Sequence, residues 1–507
     1  MKPQFPGNIP RIKISSEENE VCVDMDNHCF MVTLENYRVT TRQSVWKKLI
    51  ELADEFKKRN LRYCYFSSTP QGGGGYVAKP MPEVFVITKR KFHNVLQGVA
   101  PNTDESRLTD EDKDLWVRWC NDNFDRYWGE NTGVVQKADV IIIDDPQLCA
   151  IIPSIKRVNP KCRIIYRSHI EIRADLIAQE GSLQKEVWDF LFSFISKADM
   201  FISHPISGFI PPYIPLSKVG LMPAATDQLD GLNKFLDEPD VQYYRNVFNR
   251  YCEDQCSPQL KPKRSYFIQV SRFDPSKGIP DVLEAYRIFK SKCLEMRVQE
   301  INIPQLVICG NGSIDDPDGN VVYDEAVSIL CSPGYEIVRE DVCLVRVPHC
   351  DQVLNSILRG AIVALQLSHR EGFEVKVTEA LAKQVPVIAY RTGGIPLQLE
   401  NDISGYLVEP GNVKKVADLL YELFSDVTLH RKIAGKLRGE EQVLRRQEYY
   451  TTFQSTNWLY LVNCLAYKGG SVKPEDLPLK APDEGTYDCN GKIIDWGAKY
   501  VKDFWAK

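Results

Sequence analysis

The sequence predicts an α/β protein built from two Rossmann-like, doubly wound domains facing one another across a cleft. Three observations carry that prediction. Short, nearly continuous apolar runs alternate with helix-like stretches, as in parallel sheets covered on both faces. The alternation occurs in two series, separated by the polar, Pro-containing stretch 252–263, CEDQCSPQLKPK. And 507 residues are enough for two large α/β domains.

In the first series, 62–67 (RYCYFS), 84–88 (VFVIT), 140–143, 163–166 (RIIY) and 200–203 (MFIS) read as strands, with helices over 45–58 and 183–196. In the second, strands are expected at 266–271 (YFIQVS), 306–309 (LVIC), 342–347 (VCLVRV), 361–367 (AIVALQL), 387–390 (VIAY) and 406–408 (YLV). Helices are expected between most of them, over 280–296, 324–330, 352–358, 375–383 and 413–424. The domains are accordingly placed at 1–250 and 251–465. A tail, 466–507, follows, with an amphipathic helix at 493–505 that could dock back on the first domain.

Composition narrows the function. Hydrophobic residues make up 43% and charged residues 26%, which fits a chain with a sizeable core. Lys plus Arg is 63 against 68 Asp plus Glu, a net charge of −5, which gives no pull toward nucleic acid or an anionic membrane. No window reaches the ~18 apolar residues of a membrane span. No apolar run follows the first basic residues, so no secretory signal is expected. Fifteen scattered cysteines, several inside apolar runs, read as reduced thiols of a cytoplasmic protein. Cys252 and Cys256 lack a matching Cys/His pair, so they read as ordinary thiols, and no metal or other cofactor is expected. A homo-oligomer is compatible with all of this.

Candidate chemistry sits where strands end. Glu371-Gly372-Phe373-Glu374 follows the strand 361–367, and Glu379 lies eight residues beyond Glu371. A strand, a Gly turn and a helix start present free N–H groups that attract anions; a solvated acidic helix start is the plainer alternative. Gly393-Gly394 marks a second tight turn. Arg272 and Lys277, in SRFDPSKG, offer a forked guanidinium and an ammonium to a phosphoryl group, or are ordinary surface charges. Gly310, in CGNG, is weak evidence beyond a tight turn. Gly72, Gly73 and Gly74, with Gly75, allow close backbone approach to a ligand or form a flexible loop. In the first series, Asp144-Asp145 ends one strand, and Arg167, His169, Glu171 and Arg173 follow the next, within reach of sugar hydroxyls. His204-Pro205 ends a further strand and reads as a loop.

The string Glu371-Gly372-Phe373 with Glu379, then PVIA and Gly393-Gly394, resembles the E-x₇-E signature of retaining glycosyltransferases with the GT-B fold, of the family-four type. Arg272 and Lys277 match that group's basic pair. With YRSHIEIR, FISHP, IDDPQ, TPQGGGG and PAATD, the chain resembles the fungal-type, configuration-retaining α,α-trehalose phosphorylases from about Arg62 to about Cys464. The resemblance implies reversible conversion of trehalose and phosphate to α-glucose 1-phosphate and glucose. It implies Glu371 at the donor-glucose hydroxyls, Arg272 and Lys277 on phosphate, and His169 near the reacting sugar. Glu379 would bind ribose in nucleotide-using relatives and be structural in a phosphorylase. A glycosidic bond that breaks through an oxocarbenium-like state agrees with this basic site.

One departure is expected. Only 76–81 separates the Gly-rich loop from the apolar run at 84, too little for a parallel crossover. The first sheet is therefore expected to lack a helix, leaving a shortened region near 72–82, and the chain is shorter at its N-terminus than typical fungal members. Two other readings follow: a nucleotide-sugar-dependent glucosyltransferase of the trehalose synthase type, and a non-catalytic sugar-binding descendant.

Overall fold

The computed structural model describes residues 12–14, 19–21, 32–67, 76, 78, 80–130, 133–311, 318–348 and 350–466. Gly72, Gly73, Gly74 and the tail beyond 466 lie outside these. The chain divides into two compact units: Ser44–Ala224 with Thr452–Lys507, and Met1–Gln43 with Ala225–Thr451. The division falls at 224/225 rather than at 250. The stretch up to 465 is expected to close the second domain; its helix Thr451–Leu465, which no sequence expectation covers, packs in the first unit instead.

A short antiparallel pair, β1 (Ile12–Ile14) and β2 (Asn19–Val21), precedes the main sheets. The first unit holds five parallel strands: β3 (Tyr63–Phe66), β4 (Val140–Asp144), β5 (Arg163–Arg167), β6 (Met200–Ser203) and β7 (Val219–Leu221). They lie in the order of the chain. Side chains alternate between two cores, as the two-residue strand period requires. Phe66, Ile141, Ile143, Ile164, Tyr166 and Phe201 join one core. Val140, Ile142, Ile165, Met200 and Ile202 join the other, which Leu461, Val462 and Leu465 of the late helix cover.

The expected strand at 84–88 is a helix. Pro82–Val86 is α-helical, Ile87–His93 continues as a π-helix and Asn94–Leu96 as a last α-turn. Pro82 at the first helical position and Glu83 in the first turn favour a helix start. Val84, Ile87, Phe92, Val95 and Leu96 are all buried in one core, a helical spacing that a five-residue window hides. The missing helix of the first sheet is thus supplied by residues 82–96. Tyr76 pairs beside the edge of β3, its amide donating to the Tyr65 carbonyl at 2.7 Å, so the chain after the Gly-rich loop returns to the sheet before that helix begins.

The second unit holds β8 (Tyr266–Val270), β9 (Gln305–Asn311), β10 (Val342–Val347), β11 (Val363–Gln366), β12 (Val387–Tyr390) and β13 (Gly405–Val408), all parallel, in the order 10-9-8-11-12-13. The helices Ile279–Glu295 and Val413–Ser425 bury one face. Glu238–Asp254, Asp351–Gly360 and Lys376–Ala382 bury the other. The order reverses between β8 and β11. Strands that diverge from such a point leave a crevice at their carboxyl ends, where ligands of doubly wound sheets bind.

Among the described residues no cysteine is in a disulfide. Cys252 is buried and Cys256 exposed, and no group of three His, Cys, Asp or Glu side chains could hold a metal ion. Nor is any described helix long and apolar enough to cross a membrane.

Candidate functional site

The reversal point of the second unit carries the expected residues. The loop after β8 holds Ser271, Arg272 and Lys277; the loop after β11 holds Ser368 to Glu374; the turn after β12 holds Gly393-Gly394. Three glycines let these loops touch. A Cβ on Gly310 would stand 1.8 Å from the Ser271 carbonyl oxygen, one on Gly278 2.0 Å from that of Leu367, and one on Gly393 1.8 Å from that of Glu371. Gly278 and Gly393 also have positive φ, +60° and +48°. Gly310 is therefore more than a turn residue: its missing side chain is what lets β9 lie against the Ser271–Arg272 backbone.

Polar bonds lock the same loops. The His369 amide donates to the Ser276 carbonyl at 2.7 Å, and Thr392 Oγ1 to the Ser368 carbonyl at 2.8 Å. Asp281 sits 3.0 Å from His369 Nε2 and accepts from the Tyr390 hydroxyl at 2.6 Å. Gln269 spans both first loops, donating to the Lys277 carbonyl at 2.8 Å and accepting from the Leu367 amide at 3.1 Å.

At the centre, the buried Lys277 ammonium is ion-paired with Glu371 and, at 2.8 Å, with Glu374. Burial alone would lower the Lys277 pKa; the two carboxylates outweigh it and hold the ammonium firmly charged. Burial raises Glu371 to about 7, with Glu374 adding to the shift and Lys277 opposing it. Glu374 goes the other way, because Lys277 more than offsets its burial. Arg272 lies beside this cluster, exposed and close enough that its charge opposes that of Lys277. Gly372 and Phe373 are buried backbone supports: the Gly394 amide donates to the Gly372 carbonyl at 2.9 Å, and Gln398 Nε2 to that of Phe373 at 2.5 Å.

Two expectations change here. Glu374 does not simply open the helix start toward an anion; its carboxylate is divided between Lys277, at 2.8 Å on Oε2, and the Lys376 amide, at 3.3 Å on Oε1. The Lys376–Ala382 helix, 7 residues long, also begins two residues beyond Glu374. Glu379 is buried inward, paired with Lys376 at 2.8 Å and accepting from Asn233 Nδ2 at 3.4 Å. Sequence reading missed Asn233, which is 146 residues from its partner, and Lys376, although it stands three residues before Glu379 on one helix.

The first unit gathers a second cluster. Strand register sets Asp144 opposite Arg167. The Arg167 guanidinium lies 3.5 Å from Asp144 Oδ1, and His169 Nε2 lies 3.4 Å from the same oxygen. Tyr65, with no sequence signal beyond its strand, places its hydroxyl 3.4 Å from Arg167. The buried Asp145 accepts the His169 amide at 2.7 Å, and the His204 ring bonds the His169 carbonyl at 2.9 Å. His204 is thus a support for His169 rather than a loop bystander. Asp145 adopts φ 60°, ψ 174°, a strained conformation for a residue with a side chain. Burial, then Asp144, push its carboxyl up to about 8. Burial, then Arg167, keep the His169 imidazole neutral, far below its ordinary pKa. Glu171 is buried nearby in sequence, whereas Arg173 is committed to a forked pair with Asp175 at 2.7 and 2.6 Å. The structure gathers Asp144, Asp145, Arg167 and His169, and sends Arg173 elsewhere.

Residues 72–211 match the model of the trehalose synthase N-terminal domain, and residues 264–426 that of glycosyl transferases group 1. A trehalose phosphorylase of Pleurotus pulmonarius is 42% identical over 494 residues, covering 92% of this chain and 66% of that protein. A trehalose synthase of Pyrococcus horikoshii is 29% identical over 456 residues, covering 85% of this chain and 96% of that protein. In fold, the chain is similar to an α,α-trehalose-phosphate synthase (UDP-forming) from Burkholderia xenovorans, with TM-score 0.56 and 13% identity over 84% of this chain and 97% of that one. The two parallel sheets are those of a GT-B glycosyltransferase. The chain spans about two thirds, 66%, of the length of the phosphorylase relatives it matches.

Proposed function

We propose that this chain, which belongs to the group 1 glycosyltransferases, is a configuration-retaining trehalose phosphorylase, acting on α,α-trehalose and phosphate to give α-glucose 1-phosphate and glucose. The observation that carries the reading is the 42% identity to a trehalose phosphorylase across 92% of the chain. The buried ammonium of Lys277, held beside Arg272 at the reversal point of its sheet, supports it.

In this reading phosphate meets the Arg272 guanidinium, which forks two donors onto its oxygens, and the Lys277 ammonium, which adds a desolvated charge. Glu371, raised toward neutrality, takes a hydroxyl of the donor glucose. In the first unit, neutral His169 and the carboxyls of Asp144 and Asp145 bond sugar hydroxyls. The glycosidic C1–O bond breaks through an oxocarbenium-like state. A phosphate oxygen bonds C1 on the face the glucose leaves, and the proton carried by phosphate passes to the departing oxygen. No enzyme nucleophile is needed, and a trapped glucosyl-enzyme would overturn that step.

Incubation with glucose and either α-glucose 1-phosphate or a nucleotide-glucose tests the reading. Disaccharide formed with release of phosphate from the first donor alone is expected. Disaccharide from the nucleotide donor alone would favour the trehalose synthase reading, for which the 29% relative speaks. Against that second reading, the carboxylate of Glu379 is already taken by Lys376 and Asn233.

A further inference from the structure

Glu374 stands at φ +62°, in the left-handed region that favours glycine. Holding a side chain there costs about 1 kcal/mol or more. It is also a second carboxylate in a buried place where Glu371 already pairs with Lys277. Lys277 Nζ meets Glu374 Oε2 at 2.8 Å while bonding Glu371 as well, so one ammonium is divided between two anions. The other oxygen, Oε1, accepts the Lys376 amide at 3.3 Å where the next helix starts, but that bond calls for neither the strained backbone nor a second buried charge. A glycine would relieve the backbone, and a neutral side chain would relieve the charge. Neither strain nor surplus charge persists unless the group does something.

We propose that Glu374 is a positioning residue that sets how much of the Lys277 charge is offered to the bound anion and fixes where that charge sits. The inference rests on the phosphorolysis reading and deepens it. The charged groups that act on Glu374 come from three elements. Lys277 and Arg272 come from the loop after β8, Glu371 from the loop after β11, and Lys376 from the helix that follows. Lys376 is itself engaged by Glu379, so it cannot replace Lys277 as the cation shared by the two carboxylates. With Glu374 neutral, Lys277 would pair with Glu371 alone. The cluster would gain a net positive charge, hold phosphate more tightly, and hold it out of register with C1.

The test compares Glu374→Gln and Glu374→Gly with the wild type, using inorganic phosphate and trehalose over pH 5 to 8. Glycine accepts φ +62° without strain, so the second variant keeps the fold. The expected result is a phosphate KM about fivefold lower and a kcat at least about tenfold lower in both variants. The pH limb that belongs to Glu371 moves about one unit toward acid, since a like charge is gone. Wild-type KM, kcat and pH limb in both variants would overturn the inference while leaving phosphorolysis standing. If the wild type fails to phosphorolyse trehalose, the functional reading falls, and thermal unfolding without substrate decides the inference. A flatter dependence of Tm on pH between 5 and 7 in Glu374→Gln then supports the shared ammonium, and an unchanged slope overturns it.

Discussion

Replacing Lys277 with Met removes the cation shared by Glu371 and Glu374 at nearly constant volume. Sign and size both follow from proton counting. In the folded wild type, Glu371 has its pKa raised to about 7 against an ordinary 4.5, while Glu374 is lowered and stays ionised. Between those two values the folded state keeps about one proton that the unfolded chain has lost, so stability falls as pH rises through this window. Without Lys277, two buried carboxyls face one another, and the folded state keeps about two protons. The penalty of Lys277→Met should therefore grow by about 1.4 kcal/mol for each pH unit. From pH 5 to pH 7 this amounts to about 3 kcal/mol, within the range for breaking a buried pair. Urea unfolding of wild type and variant at pH 5, 6 and 7 reads it, and Lys277→Arg should restore most of the loss. A destabilisation equal at pH 5 and pH 7 would show that the two carboxylates do not compete for Lys277.

Three further outcomes are expected. Gly393→Ala would put a methyl 1.8 Å from the Glu371 carbonyl at φ +48°, so the loop must move; a loss of about 2 kcal/mol or more by chemical denaturation should come with a sharp fall in turnover. Arg272→Ala, at an exposed position, should leave Tm unchanged and raise the KM for phosphate and for glucose 1-phosphate by at least about tenfold, with little change for trehalose; an equal change for all three substrates would remove Arg272 from the phosphate. Asp341→Asn would leave Arg264, now bonded to that carboxylate at 2.6 Å, buried without its anion, and Lys290, bonded to it at 2.5 Å, with only the more exposed Glu300 at 3.2 Å; it should cost about 3 kcal/mol or more at pH 7, measured by urea unfolding. Arg264 and Lys290 overcome burial to hold the Asp341 pKa below its ordinary value, so the wild type should lose this contribution as pH falls below about 4.

Most of the second unit was legible because its strands are short apolar runs with Gly or charge at their ends. All six expected strands form, within a few residues of the expected bounds. The first unit was less legible at two places. VFVIT has the composition of a buried strand, and only the longer window from Pro82 to Leu96 carries the helical spacing that decides it. The helix Thr451–Leu465 covers a sheet whose last strand ends at Leu221, and no local pattern tells a chain to return across more than 200 residues.

The sequence by itself determined the two α/β units and the loops that carry the chemistry, since these follow from local period and turn residues; that Arg272 and Lys277 go with the E-x₇-E string is what the family resemblance implied. Only the tertiary structure decided who holds whom. Lys277 is shared by Glu371 and Glu374, Glu379 is turned onto Lys376, Tyr65 reaches Arg167, and Arg173 is spent on Asp175. A charge's partner depends on which strand ends lie side by side and on how deeply they are buried, and neither is written in the spacing of residues along one chain.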